Sequence, residues 1–231
     1  MTNHFIFFHV GDITLPSLLV KTIRKFNPNS KIHFLTDKNT NNIDGVDKTF
    51  RLDLDRDYLM TARLEAYSKY QLIDPAIYID SDMLLLRPID LNIFSDKDVY
   101  LCKRESNCYK KFNHNFNDLD FREYEGMTLN QVYPFLACFV YTKNYKFWED
   151  CYSRILNLDE KFKVWYGDQE VLKEVYNSRE YKFGTINENL ISALPEYSDP
   201  DKTFFAHFKS KDLKDFMPMC AKEILSDYYR Y

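Results

Sequence analysis

The stretch Ala76-Ile77-Tyr78-Ile79-Asp80-Ser81-Asp82-Met83-Leu84-Leu85-Leu86 places two aspartates within an apolar run. Pro75 precedes it and Arg87-Pro88 follows, so its apolar first half predicts a short buried strand. In an extended chain, residues i and i+2 point to one side, which brings both carboxylates together. Because burying two unpaired negative charges is costly, a divalent cation such as Mg²⁺ or Mn²⁺ would fit between them. A turn whose aspartates bond only to the backbone is the alternative, and the motif alone leaves both open.

Size and composition restrict the classes of protein to consider. The 231 residues suit one domain with a sizeable core. With 31 basic and 35 acidic residues, the net charge of −4 gives no general attraction to nucleic acid or to an acidic membrane. The five cysteines lack zinc-type spacing, and no leader or membrane-spanning run is evident. We therefore expect a cytoplasmic protein in a reducing compartment, with no nucleic-acid partner.

The N-terminal residues predict a β-α-β unit. An apolar run over residues 5–10 indicates a strand, and apolar residues at helical spacing over 15–26 indicate a helix capped by Thr14. Residues 31–37 indicate a second strand. Such a unit implies a parallel sheet with a right-handed crossover, and ligands bind beyond the carboxyl ends of its strands. Three polar segments end strands at that edge: Gly11-Asp12, Thr36-Asp37 and Asp80-Ser81-Asp82.

Arg63 stands out in the next predicted helix, over about residues 57–71, because it falls within the apolar stripe. A guanidinium on a core-facing position needs an anionic partner. That partner is either Asp80 or another buried carboxylate, as in an ordinary salt bridge, or a ligand phosphate or a metal-site carboxylate. The sequence favours neither interpretation.

The second half of the chain adds an irregular segment and a long buried strand. Residues 103–130 are charged and aromatic without a sustained period, which is typical of a binding loop or lid, or of a partly ordered surface excursion. Residues 133–141 predict the strand. Asp168 precedes a further predicted helix, where capping would explain it, whereas Gln169 has no comparable structural role.

His207 lies in a strand-like run over residues 203–208 near the end of the chain. A lone histidine after apolar residues is more often structural than a ligand. Here three nearby lysines favour an anion site: Lys209, Lys211 and Lys214.

Read in order, these segments resemble the glycosyltransferases of the GT-A fold, most closely the retaining galactosyltransferase and glycogenin-like group. Asp80-Ser81-Asp82 is similar to that group's Asp-x-Asp motif, and Ala62-Arg63-Leu64 is similar to its Ala-Arg-Leu. The strand over 133–141 and Gly167-Asp168-Gln169 complete the series. The resemblance extends from the first strand to His207. It implies a single-domain, Rossmann-like α/β fold over residues 1–231, with a mixed, mostly parallel sheet flanked by helices and residues 103–130 as an acceptor-side insertion or lid.

The resemblance also implies a function: Mn²⁺- or Mg²⁺-dependent transfer of a hexose from a nucleoside-diphosphate sugar, with a UDP-sugar favoured, to a carbohydrate or other hydroxyl acceptor in glycan or polysaccharide synthesis. Retention of stereochemistry is implied as well. The implied metal ligands are Asp80, Asp82 and His207. The implied donor contacts are His9, Val10, Gly11, Asp37, Arg63, Asp80, Ser81, Lys209 and Lys211. The implied catalytic residues are Arg63, Asp168 and Gln169.

Two departures from the family pattern bear on this resemblance. The family ends on His-x-x-Gly-x-x-Lys, whereas Ser210 and Leu213 follow His207 here, so a neighbouring lysine would have to replace the missing one. Leu136-Ala137-Cys138 stands where the family often has Asn-Ala-Gly. This change removes one polar contact to the donor sugar and leaves the identity of the sugar open.

Other functions and routes stay open at this stage. A haloacid-dehalogenase-type phosphatase also uses Asp-x-Asp but usually has Thr or Val where Leu84 stands. A nucleotidyltransferase would need a Gly-rich loop, which a chain with 5 glycines lacks, and a non-catalytic nucleotide- or carbohydrate-binding domain is a third alternative. An inverting route would need a carboxylate base from the irregular segment. The aromatic end Tyr228-Tyr229-Arg230-Tyr231 gives a weak indication of peripheral membrane association.

Overall fold

The computed structural model describes residues 2–226. The segment Tyr228-Tyr229-Arg230-Tyr231, on which the predicted membrane association rests, lies outside the described residues. Among residues 2–226, no helix combines the length and the apolar character that crossing a membrane requires.

Strands and helices alternate along most of the described chain. The strands are β1 His4–Phe8, β2 Lys31–Asp37, β3 Lys48–Leu52, β4 Ala76–Ile79, β5 Met83–Leu85, β6 Val99–Lys103, β7 Phe135–Thr142, β8 Phe183–Asn187 and β9 Phe205–His207. The α-helices are α1 Thr14–Phe26, α2 Leu59–Tyr70, α3 Leu129–Val132, α4 Lys146–Leu156, α5 Glu160–Val164, α6 Gly167–Ser178, α7 Glu188–Ile191 and α8 Lys211–Leu225.

Seven strands form one mixed, mostly parallel sheet in the order β3-β2-β1-β4-β7-β6-β8. β1 runs parallel to β2 and β4, β2 to β3, and β6 to β8. β7 runs antiparallel to both of its neighbours, β4 and β6. The predicted fold class, a mixed α/β sheet flanked by helices, is confirmed.

Helices cover both faces of this sheet. Leu19 and Ile23 of α1 pack on one face, and Leu64 of α2 and Trp148 of α4 pack on the other, all almost fully buried. Burying one such side chain contributes about 2 kcal/mol. Because both faces are covered, the central strands read as continuous apolar runs, and polar residues are left at the strand ends.

The apolar residues after Asp82 do not extend β4. They form β5, which pairs antiparallel with β9 in a separate two-stranded sheet. In this pairing Met83 lies opposite His207, and the Phe208 N–H donates to the Asp82 carbonyl at 3.0 Å. The small sheet therefore brings His207 next to the Asp-x-Asp segment.

Both predicted helix caps are wrong. Ile13 occupies the cap position of α1, and Thr14 is the first helical residue, whose N–H donates to Asp12 Oδ1 at 2.8 Å. Tyr166 occupies the cap position of α6, which places Asp168 inside the first turn. The observed caps lie one and two residues before the predicted ones, a shift of the size by which helix ends commonly vary.

Residues 103–130 pack around an aromatic cluster, although their sequence shows no period. Phe112 and Phe121 are buried against Tyr133 at the start of the long strand and against Tyr166 before α6, with ring centroids 5.5–6.0 Å apart. These contacts fasten the segment to the loop between α5 and α6.

Candidate active site

Three potential metal ligands meet beyond the carboxyl end of β4. The ligand atoms of Asp80, Asp82 and His207 all lie within 4.8 Å of one another. His207 Nε2 is 3.3 Å from Asp82 Oδ1 and 3.7 Å from Asp80 Oδ2. The aspartates follow β4, and the histidine ends β9, so the β5–β9 pairing completes the group.

Cationic side chains surround these three residues. Arg63 NH1 bonds to Asp80 Oδ1 at 2.6 Å, and its NH2 pairs with Asp168, so one guanidinium joins a half-buried and a buried carboxylate. Arg63 thus pairs with Asp80, the partner that the sequence analysis named, and with a second carboxylate, that of Asp168. Lys214 Nζ lies 2.9 Å from Asp82 Oδ2, on the opposite side.

The pKa values of the three ligands are shifted in different directions. Burial raises the pKa of Asp80, and Arg63 offsets this only in part. Burial acts in the same direction on Asp82, but His207 and Lys214 outweigh it and lower the pKa of Asp82. Burial alone would lower the pKa of His207, whereas its neighbours Cys138 and Asp82 together raise it above its usual value. Without a metal, a protonated His207 therefore balances Asp82.

The three residues fit a divalent cation. Two carboxylates and an imidazole offer hard oxygen and nitrogen donors, as Mn²⁺ and Mg²⁺ accept. Ligands that bind such an ion at about 2.1 Å in octahedral geometry would lie about 3 Å apart. The ligand atoms of Asp80, Asp82 and His207 would reach that spacing if their side chains moved slightly toward one another. The buried Nδ1 of His207 has no hydrogen-bond partner in the described protein, so no competing bond fixes the ring away from such an ion.

The group opens into a cavity of about 480 Å³, a volume in the range of small-molecule sites. The predicted residues that line it are His9, Val10, Arg63, Asp80, Ser81, Asp82, Asp168, Gln169, His207 and Lys209. The other lining residues are Phe8, Leu59, Met60, Leu136, Ala137, Cys138, Trp165, Tyr166 and Lys214. The lining thus combines charged and apolar side chains.

The structure places three predicted donor contacts outside this lining. Asp37 is buried and accepts hydrogen bonds from Thr40 Oγ1 at 2.7 Å and Arg56 Nε at 2.7 Å. The Gly11 N–H donates to the same Thr40 Oγ1 at 2.9 Å. Asp37 and Gly11 therefore tie together the loops after β2 and β1. Lys211 is exposed at the start of α8, and Lys214, one turn later, lines the cavity in its place.

Comparison with known proteins adds a finding on the fold. The chain is similar to the glycosyltransferase GlyE of Streptococcus pneumoniae TIGR4, with a TM-score of 0.60 and 14% sequence identity. The fold is that of a glycosyltransferase. The match covers 97% of this chain and 62% of GlyE, so this chain spans less than two thirds of the length of that protein. No protein-family model and no curated protein matches the sequence.

The loop before α6 has a conformation that its sequence does not reveal. Tyr166 adopts a left-handed backbone, with φ 64°, and a Cβ at Gly167 would collide with the carbonyl oxygen of Phe162. A left-handed tyrosine is unfavourable and persists only where packing fixes it. Here the Tyr166 ring stacks on Tyr133 at 5.0 Å, and the turn lets Trp165 and Asp168 both line the cavity.

Sequence reasoning missed two polar residues that contact residues of the cavity lining, the half-buried Arg104 and the buried Glu188. Arg104 NH2 donates to Gln169 Oε1 at 2.9 Å. Glu188 is fully buried, pairs with Lys209, and accepts the N–H groups of Glu105 and Ser106 at 2.9 and 2.8 Å. Neither residue belongs to a motif. The sequence shows each only as an ionisable residue near a strand, and such residues are too common to indicate a functional site.

Proposed function

We propose that this chain is a metal-dependent glycosyltransferase that moves a hexose from a nucleoside-diphosphate sugar, with a UDP-sugar favoured, to a hydroxyl acceptor in glycan or polysaccharide synthesis. The observation that carries the proposal is the Asp80–Asp82–His207 group, which lies at the carboxyl edge of a sheet with a glycosyltransferase fold. Lys209 and Lys214 line the same cavity. A divalent ion flanked by lysines would suit a diphosphate.

In this proposal Asp80, Asp82 and His207 hold Mn²⁺ or Mg²⁺. When bound, the ion supplies Lewis-acid stabilisation of the charge that grows on the departing diphosphate. Lys209 and Lys214 add fixed positive charge beside the phosphates. Removing one such contact typically costs about 3 kcal/mol of the barrier.

The donor would lie along the charged residues that line the cavity. Its nucleoside would contact His9, Val10 and Ser81 near the end of β1, where His9 Nδ1 lies 2.9 Å from Ser81 Oγ. Asp168 would bind sugar hydroxyls, and Gln169 would face the anomeric carbon. Because an amide is a poor nucleophile, attack on the same face as the leaving phosphate is the route we favour for retention.

The acceptor would bind beside Trp165. Trp165 is 38% exposed, lines the cavity and packs on Phe116 of the 103–130 segment at 5.6 Å. An exposed indole face suits the apolar face of a sugar ring. The chain has two tryptophans, and Trp148 is buried, so fluorescence quenching by an acceptor reports on Trp165. We expect Trp165→Ala to raise the KM for a sugar acceptor about tenfold without changing donor affinity, whereas equal loss of both would refute this placement.

The rival phosphatase is less well supported by the site. Its nucleophile would be Asp80, but Arg63 NH1 already occupies Oδ1 of that carboxylate, and His207 faces the other oxygen. A nucleophilic carboxylate needs an open approach to the phosphorus atom.

The deciding experiment is a thermal-shift panel of UDP-, GDP- and CMP-sugars with and without Mn²⁺. For the true donor at about 100 times its Kd, mass action predicts a stabilisation of about 2.7 kcal/mol that depends on the metal. Release of the nucleoside diphosphate should accompany it. Stabilisation without turnover for any acceptor would instead favour a binding module, and release of phosphate from small phosphomonoesters would favour the phosphatase.

A further inference from the structure

Arg104 is held at the end of β6 by main-chain carbonyls. Its Nε donates to the Tyr133 carbonyl at 2.8 Å, and its own N–H donates to the Pro134 carbonyl at 2.8 Å. Within residues 2–226 no carboxylate lies within 4 Å of the guanidinium. The remaining side-chain contact is the 2.9 Å hydrogen bond from NH2 to Gln169 Oε1.

This contact fixes the orientation of the Gln169 amide. A guanidinium carries five N–H donors and no acceptor, so only the carbonyl oxygen of Gln169 can face it. The two ends of a glutamine amide cannot point the same way, and Gln169 lines the active-site cavity. Its NH₂ group is therefore the end available to a ligand there.

We infer that Arg104 is a positioning residue, which turns Gln169 so that its amide N–H groups, and not its carbonyl oxygen, face the reacting sugar. The inference rests on the proposed glycosyl transfer and states which group of Gln169 contacts the sugar during it. Gln169 then acts as a hydrogen-bond donor to an oxygen of the donor sugar or the acceptor. Its carbonyl oxygen accepts the hydrogen bond from Arg104, which weakens it further as a nucleophile.

Local structure makes this arrangement rigid. Gln169 lies in the first turn of α6, behind the left-handed Tyr166, and the Tyr166 ring stacks on Tyr133, whose carbonyl binds Arg104. The arginine and the glutamine are thus attached to the same packed unit. A charge-assisted hydrogen bond between two anchored groups resists rotation of the amide.

The test uses Arg104→Met, Arg104→Lys, Gln169→Ala, Gln169→Glu and the double variant Arg104→Met/Gln169→Ala, with Lys103→Met as the matched control. Lys103 is an exposed neighbour on the same strand and does not line the cavity. We expect Arg104→Met to lower kcat about 30-fold with little change in donor KM, and Arg104→Lys to restore part of it. In the Gln169→Ala background, Arg104→Met should have no further effect, since it acts through Gln169.

Gln169→Glu separates the two ends of the amide. The carboxylate keeps an oxygen for Arg104 but offers no N–H, so this variant should lose as much kcat as Gln169→Ala. A Gln169→Glu enzyme with near wild-type kcat would overturn the inference, and so would full additivity of the Arg104→Met and Gln169→Ala effects.

A second readout does not depend on turnover. In the ¹⁵N spectrum, the side-chain amide of Gln169 should have a high heteronuclear NOE in the wild type and in Lys103→Met, and a low one in Arg104→Met at unchanged melting temperature. An NOE that is low in the wild type would refute the inference. If no nucleotide sugar is turned over but the NOE behaves as described, the proposed function fails while the orienting contact stands.

Discussion

Two buried histidines at opposite edges of the sheet show what makes a site. His33 is 6% exposed near the amino ends of β1 and β2, and His207 is 4% exposed at the carboxyl edge. His33 contacts His4 Nδ1 at 2.9 Å and Tyr70 Oη at 2.7 Å, and burial together with the His4 charge lowers its pKa to about 4. Cys138 and Asp82 instead raise the pKa of His207 against the effect of burial.

The difference lies in the neighbours and not in the burial. At the amino edge the neighbours of His33 are another histidine and a tyrosine, so its neutral form is favoured and it remains structural. At the carboxyl edge polar loops converge, because the parallel strands end there, and two carboxylates meet the imidazole. At similar burial, His33 is therefore neutral and His207 is protonated. Only the proton on His207 lies beside carboxylates, where a metal ion can replace it.

The largest expected effect is the loss of metal binding when a carboxylate is removed at the carboxyl edge of the sheet and not at the amino edge. Asp82→Asn should abolish metal binding and lower metal-dependent turnover about 10³-fold, because it removes a ligand charge. Manganese titration by electron paramagnetic resonance and donor turnover measure both. Asp47→Asn is the control, since Asp47 pairs with Arg24 and Lys31 at the amino edge. Asp47→Asn should lower the free energy of unfolding and leave the affinity for the metal unchanged. If Asp82→Asn still bound manganese, our assignment of Asp82 as a metal ligand would be wrong.

The next effect concerns stability against pH. Because the folded pKa of His33 is near 4 and its usual value is 6.5, the unfolded chain binds more protons at mildly acidic pH. The stabilisation is present above pH 6.5 and is lost as the pH falls toward 4. Between pH 7 and 5 we expect a loss of about 2 kcal/mol in the free energy of unfolding. Urea unfolding of the wild type and of His33→Asn at pH 7 and at pH 5 measures the part of this loss that comes from His33.

His114→Asn, a substitution of a half-buried histidine in the 103–130 segment, is the matched control. It should retain the acid loss, whereas His33→Asn should flatten it. Equal pH profiles for His33→Asn and the wild type would show that His33 is not held neutral by the fold.

The smallest expected effect is the dependence of metal affinity on pH at the carboxyl edge. His207 must lose its proton to bind a metal, so the affinity for Mn²⁺ should rise about tenfold per pH unit near neutrality. Calorimetry in two buffers with different ionisation enthalpies should detect about one proton released per ion. Binding without proton release would mean that His207 is neutral in the metal-free protein, and would end the contrast with His33.

Local patterns were enough to predict much of the fold. The run over residues 31–37 is β2 as expected, and the helical spacing before it is α1. Burial on both faces of a sheet and one-sided burial of a helix leave direct marks on a sequence. The helix α8 was not predicted, because Pro218 interrupts it and charged residues alternate with apolar ones there.

The candidate site was predictable only where a residue lies in a motif. Asp80, Asp82, Arg63 and His207 do meet, whereas the lysine on Asp82 is Lys214 and not Lys211. Lys214 lies near the start of α8, which Ser210 caps, and its Nζ is 2.9 Å from Asp82 Oδ2. No spacing rule contains that information.

By itself the sequence determined the N-terminal β-α-β unit, the apolar central strands, and the acidic pair at the end of a buried strand, because these depend on neighbours along the chain. Only the tertiary structure decided that β9 pairs with β5 and sets His207 beside Asp82, and that Arg104 fixes the amide of Gln169. The physical reason is that such contacts join residues distant in the chain, and their energies depend on distance and orientation, which local patterns do not encode.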